Sequence, residues 1–192
     1  VGRQGIDVNE YTLSTGFDVS TASFVDSFSV ASQETNPAAV AFNNDGTKMF
    51  VVGYTGDDVN EYTLSTGFDV STASFVDSFS VSSQDLIPKG LAFNNDGTKM
   101  FVVGDHGNDI NEYTLSTGFD VSTASFVDSF SVASQETNLS GMAFNNDGTK
   151  MFVVGRQGID VNEYTLSTGF DVSTASFVDS FSVASQETNP AA

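Results

Sequence analysis

The clearest hydrophobic signal is the unbroken apolar run Met100-Phe101-Val102-Val103, which is closed by Gly104. A short run without polar alternation predicts a strand buried on both faces. Around it the pattern resolves into four strands. Strand A is predicted over Gly90–Asn94, strand B over Lys99–Val103, strand C over Asp109–Leu115 and strand D over Ser125–Val132. Between A and B lies Asn95-Asp96-Gly97, whose tolerance of positive φ suits a tight hairpin turn. Strand C alternates, with Tyr113 and Leu115 on one side and Ile110 and Glu112 on the other. Strict alternation along strand D puts Phe126, Phe130 and Val132 on one face together with Asp128. Gly107 breaks the B–C loop Asp105–Asn108, and Gly118 breaks the C–D loop Ser116–Ala124. β-Branched and aromatic residues dominate, and no apolar spacing of i, i+3, i+4 occurs, so helices are excluded as the main element.

The whole chain is this unit repeated. Tyr11, Tyr62, Tyr113 and Tyr164 stand 51 residues apart, each inside the string NEYTLSTGFDVSTASFVDSFSV. Val1–Ala39 is identical to Val154–Ala192, so a longer period of three units is present as well. A four-stranded unit of this length fits one blade of a β-propeller. The predicted fold is therefore all-β, with tandem four-stranded antiparallel blades. A β-solenoid or stacked-sheet fibre is the structural alternative. The units divide the single array into a partial blade with strands C and D (1–36) and blades at 37–87, 88–138 and 139–192. Propellers close with ~4–8 blades, so self-association or a longer array is expected. The start at Val1, inside a repeat, suggests processing or truncation.

The segment Pro88-Lys-Gly-Leu-Ala-Phe-Asn-Asn-Asp-Gly-Thr-Lys-Met-Phe-Val-Val-Gly104 resembles the blade opening of YVTN-like β-propellers, and Asn111-Glu112-Tyr113-Thr114-Leu115 looks like their third strand. Leu139 stands in place of the opening Pro, and Ala39 in place of its Gly. The resemblance extends over every repeat. It implies a blade type and carries no catalytic residue with it, because the shared pattern is structural.

The units differ from one another almost only in two windows. In the B–C loop the variable positions are Arg3, Gln4 and Ile6; Tyr54, Thr55 and Asp57; Asp105, His106 and Asn108; and Arg156 and Gln157 with Ile159. In the D–A connection, Glu34 to Val40 is replaced by Asp85-Leu86-Ile87-Pro88-Lys89-Gly90-Leu91, and then by Glu136 to Met142. In a four-stranded meander both windows lie on one face of the array. Variable loops on a rigid scaffold are where recognition resides. Drift is the alternative, but it would also have touched the loop Ser14–Ala22, which is unchanged in all four copies. The candidate binding residues are thus Arg3, Gln4, Ile6, Tyr54, Thr55, Asp57, Asp85, Leu86, Ile87, Lys89, Asp105, His106, Asn108, Arg156 and Gln157.

Composition narrows the partners. The net charge of −19 argues against nucleic acid and anionic membranes, which are bound through clustered Lys and Arg. No apolar run is long enough to span a bilayer. There is no Cys, hence no disulfide and no thiolate metal site. His106 is the only histidine and has no evident catalytic partner, so it reads as an exposed loop residue. Asp7, Glu10, Asp18 and Asp26 recur in every copy, as structural residues would. No cofactor is expected. Calcium is the one metal to weigh, but Asn43-Asn44-Asp45-Gly46 fits a hairpin turn better than a hard-cation loop. Asn138-Leu139-Ser140 matches a glycosylation acceptor, a weak tripeptide signal. The reading at this level is a non-enzymatic, extracellular or particle-surface binding scaffold for a protein or glycan. A filament subunit and an engineered repeat protein are its alternatives.

Overall fold

A computed structural model describes residues 1–2, 4–187 and 190. It consists of successive antiparallel meanders. A hairpin, β1 (Asp7–Leu13) and β2 (Ala22–Ser29), comes first. A four-stranded sheet follows, formed by β3 (Pro37–Phe42), β4 (Lys48–Gly53), β5 (Asp58–Leu64) and β6 (Ala73–Ser80). The next sheet is β7 (Pro88–Phe93), β8 (Lys99–Gly104), β9 (Asp109–Leu115) and β10 (Ala124–Ser131). The last comprises β11 (Leu139–Phe144), β12 (Lys150–Gly155), β13 (Asp160–Leu166) and β14 (Ala175–Ser182). Strand C is found at its predicted bounds. Strand A begins earlier, at Pro88, because the D–A connection is shorter than its polarity suggested.

The sheets stack face to face, and the apolar run of each second strand explains why. Met100 and Val102 point back into the core shared with β3–β6, while Phe101 and Val103 point forward into the core shared with β11–β14; all four are fully buried. Phe50 meets Phe93 of the following sheet with ring centroids 4.5 Å apart, and Phe101 meets Phe144 at 4.6 Å. Burying each such side chain contributes about 1.5–3 kcal/mol. The inner strands β3, β7 and β11 abut in succession. Gly90 permits this approach, since a Cβ there would sit 3.2 Å from Gly141 Cα.

Polar ties accompany the apolar cores. Lys99 Nζ donates to Glu112 Oε1 (2.7 Å) within its sheet and to the carbonyl of Phe170 in the next (2.6 Å). The other oxygen of Glu112 accepts the amide of Val172 (2.9 Å). The carboxylate is 2% exposed, so removing its lysine would leave a buried charge unpaired, at a cost of about 3–5 kcal/mol.

Two features depart from the sequence-level expectation. First, strand D is not strictly alternating. Phe126 pairs with Tyr113 and Asp128 with Glu112, so Val127 is an extra residue in a β-bulge. The bulge moves Phe126 to the Tyr113 side and leaves Asp128 with Phe130 on the Ile110 side. The same shift separates Asp26 from Phe24. The Asp26 carboxylate accepts the amide of its neighbour Ser27 (2.8 Å). Second, the C–D loop contains a 3-10 turn, Val121–Thr123, capped by Asp120, whose side chain accepts the amide and hydroxyl of Ser122. Phe119 ahead of it has φ +58° and lies over Gly97, where any Cβ would collide with the ring. This explains why the Asn-Asp-Gly turn and the C–D loop are invariant together.

Candidate functional site

The two variable windows meet at one end of each sheet. Glu34, from the D–A connection, accepts the amides of Asn36 (2.6 Å), Thr55 (3.2 Å) and Gly56 (3.4 Å), and Thr35 reaches the Thr55 hydroxyl (3.0 Å). Glu136 does the same two repeats later, with Asn138 (2.7 Å), Gln157 (3.1 Å) and Gly158 (2.9 Å). These buried carboxylates are braces between the two loops.

The candidate binding residues have several different roles. Gln4, Thr55, His106, Arg156 and Gln157 are exposed, Leu86 and Ile87 are exposed apolar side chains, and Tyr54 is half-buried. Ile6, Asp57 and Asn108 hold a backbone position at φ of +52° to +56°, so their variation is partly a matter of how well each tolerates the left-handed region. Asp57 is held above its ordinary acidity range by burial and by the neighbouring Asp58 and Glu34 charges. Arg3 lies outside the described residues.

The site gains chemistry in the joint between β7–β10 and β11–β14. Lys89 is the second residue of β7, and Ser140 the second of β11. Both are the extra residue of a β-bulge, because the register skips from Pro88 to Gly90 and from Leu139 to Gly141. A bulge re-aims its side chain out of the regular ladder. Lys89 is only 6% exposed; its ammonium pairs with Asp105 Oδ2 and donates to Asn138 Oδ1 (3.1 Å). The hydroxyl of Ser140, the second carboxylate oxygen of Asp105 and the Asn108 amide oxygen are buried without a partner. Ala38 occupies the equivalent position of β3, so the first full sheet has no counterpart to this cluster.

Asp85 adds a second anomaly. It replaces Glu34 and Glu136 but is one methylene shorter. It accepts the amide of Ile87 (2.7 Å), and its other oxygen has no partner. Burial pushes its pKa up to about 6, against the smaller opposing effects of the Ile87 and His106 amides. Among the described residues no group of three or more His, Cys, Asp and Glu side chains is placed to hold a metal ion. Two apolar hollows lie elsewhere, on the open face of β11–β14.

Asn138 and Ser140 were not among the residues selected from sequence. The signal was present in the D–A window, where Ala38, Lys89 and Ser140 replace one another. What was missing was the bulge that makes this one position special.

Comparison with solved structures settles the architecture. A putative 6-phosphogluconolactonase from Bacteroides fragilis superposes with a TM-score of 0.60 at 12% identity, over 93% of this chain and 49% of its own. The β-propeller domain of Cps50 (Swd1) from Myceliophteria thermophila superposes with a TM-score of 0.53 at 12% identity, over 77% and 43% of the two chains. The fold is that of a β-propeller. A periplasmic gluconolactonase from Pseudomonas aeruginosa matches with a TM-score of 0.56 at 18% identity, over 84% of this chain and 42% of its own. The chain thus spans about half the length of these propellers. No protein-family model matches the sequence, and no curated protein does.

These findings correct the expectation of a non-enzymatic scaffold. Solved structures that superpose on this chain include proteins named as lactonases, so the fold does not exclude catalysis. Lys89, Asp105 and Asn138 make the joint between β7–β10 and β11–β14 unlike the one before it, where Ala38 stands in place of Lys89.

Proposed function

We propose that this chain provides the reactive face of a YVTN-like propeller hydrolase acting on a sugar lactone. The observation that carries the reading is the buried Lys89 ammonium, set on a strand bulge and paired with Asp105, whose second carboxylate oxygen has no partner. A lactone ester is opened by attack of water on its carbonyl carbon, and negative charge develops on the carbonyl oxygen. Lys89 is the donor to that oxygen. The free oxygen of Asp105 accepts the proton of the attacking water and returns it to the ring oxygen as the acyl C–O bond breaks, leaving the open-chain hydroxy acid. Asn138, which is half-buried, hydrogen-bonds a ring hydroxyl. Support for the substrate class comes from the names of the gluconolactonase and 6-phosphogluconolactonase neighbours, and support for the YVTN-like assignment from the blade-opening residues Pro88 to Gly104.

The test is acid release from glucono-δ-lactone, followed by pH-stat against the spontaneous rate. The expected result is hydrolysis above background that falls about 100-fold or more in Lys89→Ala, the usual cost of losing one oxyanion donor. Hydrolysis no faster than background, or equal in the wild type and in Lys89→Ala and Asp105→Asn, would reject the proposal.

A further inference from the structure

The Asp105–Asn108 loop, which brings the Asp105 carboxylate to Lys89, differs in backbone conformation from the same loop in the other units. Gly107 has φ +102°, in the left-handed range, whereas Gly5, Gly56 and Gly158 at the same repeat position lie outside it. The ends of the loop do not explain the difference. Asp57, Asn108 and Ile159 follow the glycine and share φ of +52° to +56°. Tyr54, Asp105 and Arg156 stand two residues before it, and each donates its amide to the last carbonyl ahead of the inner strand, at 3.2, 3.2 and 2.9 Å.

The brace beneath the loop is what differs. Glu34 accepts the amides of Thr55 and Gly56, and Glu136 those of Gln157 and Gly158. Asp85 stands in their place, fully buried against Gly104, where any Cβ would collide with its carboxylate. Its Oδ1 accepts the Ile87 amide (2.7 Å) and its Oδ2 has no partner, so the bond that Gly56 and Gly158 give their glutamates has no counterpart at Gly107. Hydrogen bonds to a carboxylate are among the stronger ones and fix the course of a loop. The unit with the short brace is also the unit in which Asp105 pairs with Lys89.

We propose that Asp85 is a positioning residue for the Lys89–Asp105 pair. One methylene short, it leaves Gly107 unbraced, and the glycine takes the left-handed backbone that holds Asp105 against Lys89. With a glutamate at this place the loop adopts the conformation of residues 54–57, and Asp105 leaves the ammonium. The consequence for lactone hydrolysis rests on the function proposed above; the consequence for the loop and the ion pair does not. A weaker brace is thus retained where the site needs it, a local sacrifice of stability for geometry.

NMR spectroscopy of the isotopically labelled 192-residue chain tests the proposal. The Lys89 Nζ shift, read through its Hε protons and assigned by its absence in Lys89→Arg, reports the pair, and the Gly107 amide proton reports the brace. Asp105→Asn marks where the Lys89 signal lies once the pair is lost. In Asp85→Glu the Gly107 amide should move downfield toward those of Gly56 and Gly158, and Lys89 should move to its Asp105→Asn position. Gly107→Ala, whose Cβ disfavours φ +102°, should move Lys89 the same way with the brace unchanged. Hydrolysis of glucono-δ-lactone should fall several-fold in Asp85→Glu even though that variant resists urea better. A Lys89 signal that keeps its wild-type position in Asp85→Glu overturns the proposal, and so does one that shifts there but not in Gly107→Ala. A wild type that opens no lactone rejects the hydrolase reading alone, because the NMR result is read without substrate.

Discussion

Replacing Asp85 by Glu should both stabilise the protein and flatten part of its pH dependence. Glu34 and Glu136 show what the longer side chain does at this place: each accepts two amides of the facing B–C loop. Asp85 is one methylene shorter: it feels the His106 amide of that loop, an effect smaller than that of burial, and one of its oxygens keeps no hydrogen-bond partner. Its pKa is raised from 3.8 to about 6, mainly by burial, so the folded protein holds this proton more tightly than the unfolded chain does. The contribution of Asp85 to stability is therefore greatest below pH 3.8 and is lost as pH rises through about 6. Two pKa units at about 1.4 kcal/mol each set a ceiling of about 3 kcal/mol. Screening by water at the loop surface brings the expected effect down to about 1–2 kcal/mol. Urea unfolding, followed by circular dichroism at about pH 4.5 and about pH 7.5, measures it as the difference between variant and wild type, which cancels the other carboxylates. Asp85→Glu should gain stability at the higher pH and little at the lower. An equal gain at both pH values, or a loss at the higher one, would refute the reasoning.

Two other predictions concern the backbone and the cores. Ile159 is a β-branched residue at φ +56°, where Asn108 serves in the preceding repeat, so Ile159→Asn should raise the urea midpoint by the equivalent of about 1 kcal/mol; an unchanged or lower midpoint counts against strain there. Burial pushes Tyr62 and Tyr164 up to about 12 and Tyr113 higher still, with the nearby Glu34, Glu136 and Asp85 charges adding to it, so absorbance titration should show these rings ionising only as the sheets unfold. Ionisation of the three near their ordinary value of 10.0 would show that the cores are looser than described.

Much of the fold was legible because local chemistry and repetition agreed. The apolar run Met100 to Val103, the Asn95-Asp96-Gly97 turn and the alternation of Asp109 to Leu115 each specify one element, and the repeat period gives their order. The bulges were hidden because hydrophobic alternation counts residues, whereas a bulge changes the count; Val127 looks like any other inward or outward position until its pairing is known. The site suffered from the same blindness. Lys89 stood among variable loop residues, and only its position on a bulged inner strand brings it together with Asp105 and Asn138. The Asp85 anomaly required the geometry of Glu34 and Glu136 as a ruler.

Asn44 donates to the carbonyl of Asn95, and Asn95 to that of Asn146, each at 2.7 Å. Donor and acceptor sit at the same place in successive units, as do both halves of the interior joints. A gene segment encoding one unit thus carries a complete plug and a complete socket. Inserting or deleting whole units by unequal recombination would leave every remaining contact intact. Blade number in such a lineage is free to change in single steps, while point mutations inside a joint meet the resistance of their partners on the neighbouring sheet.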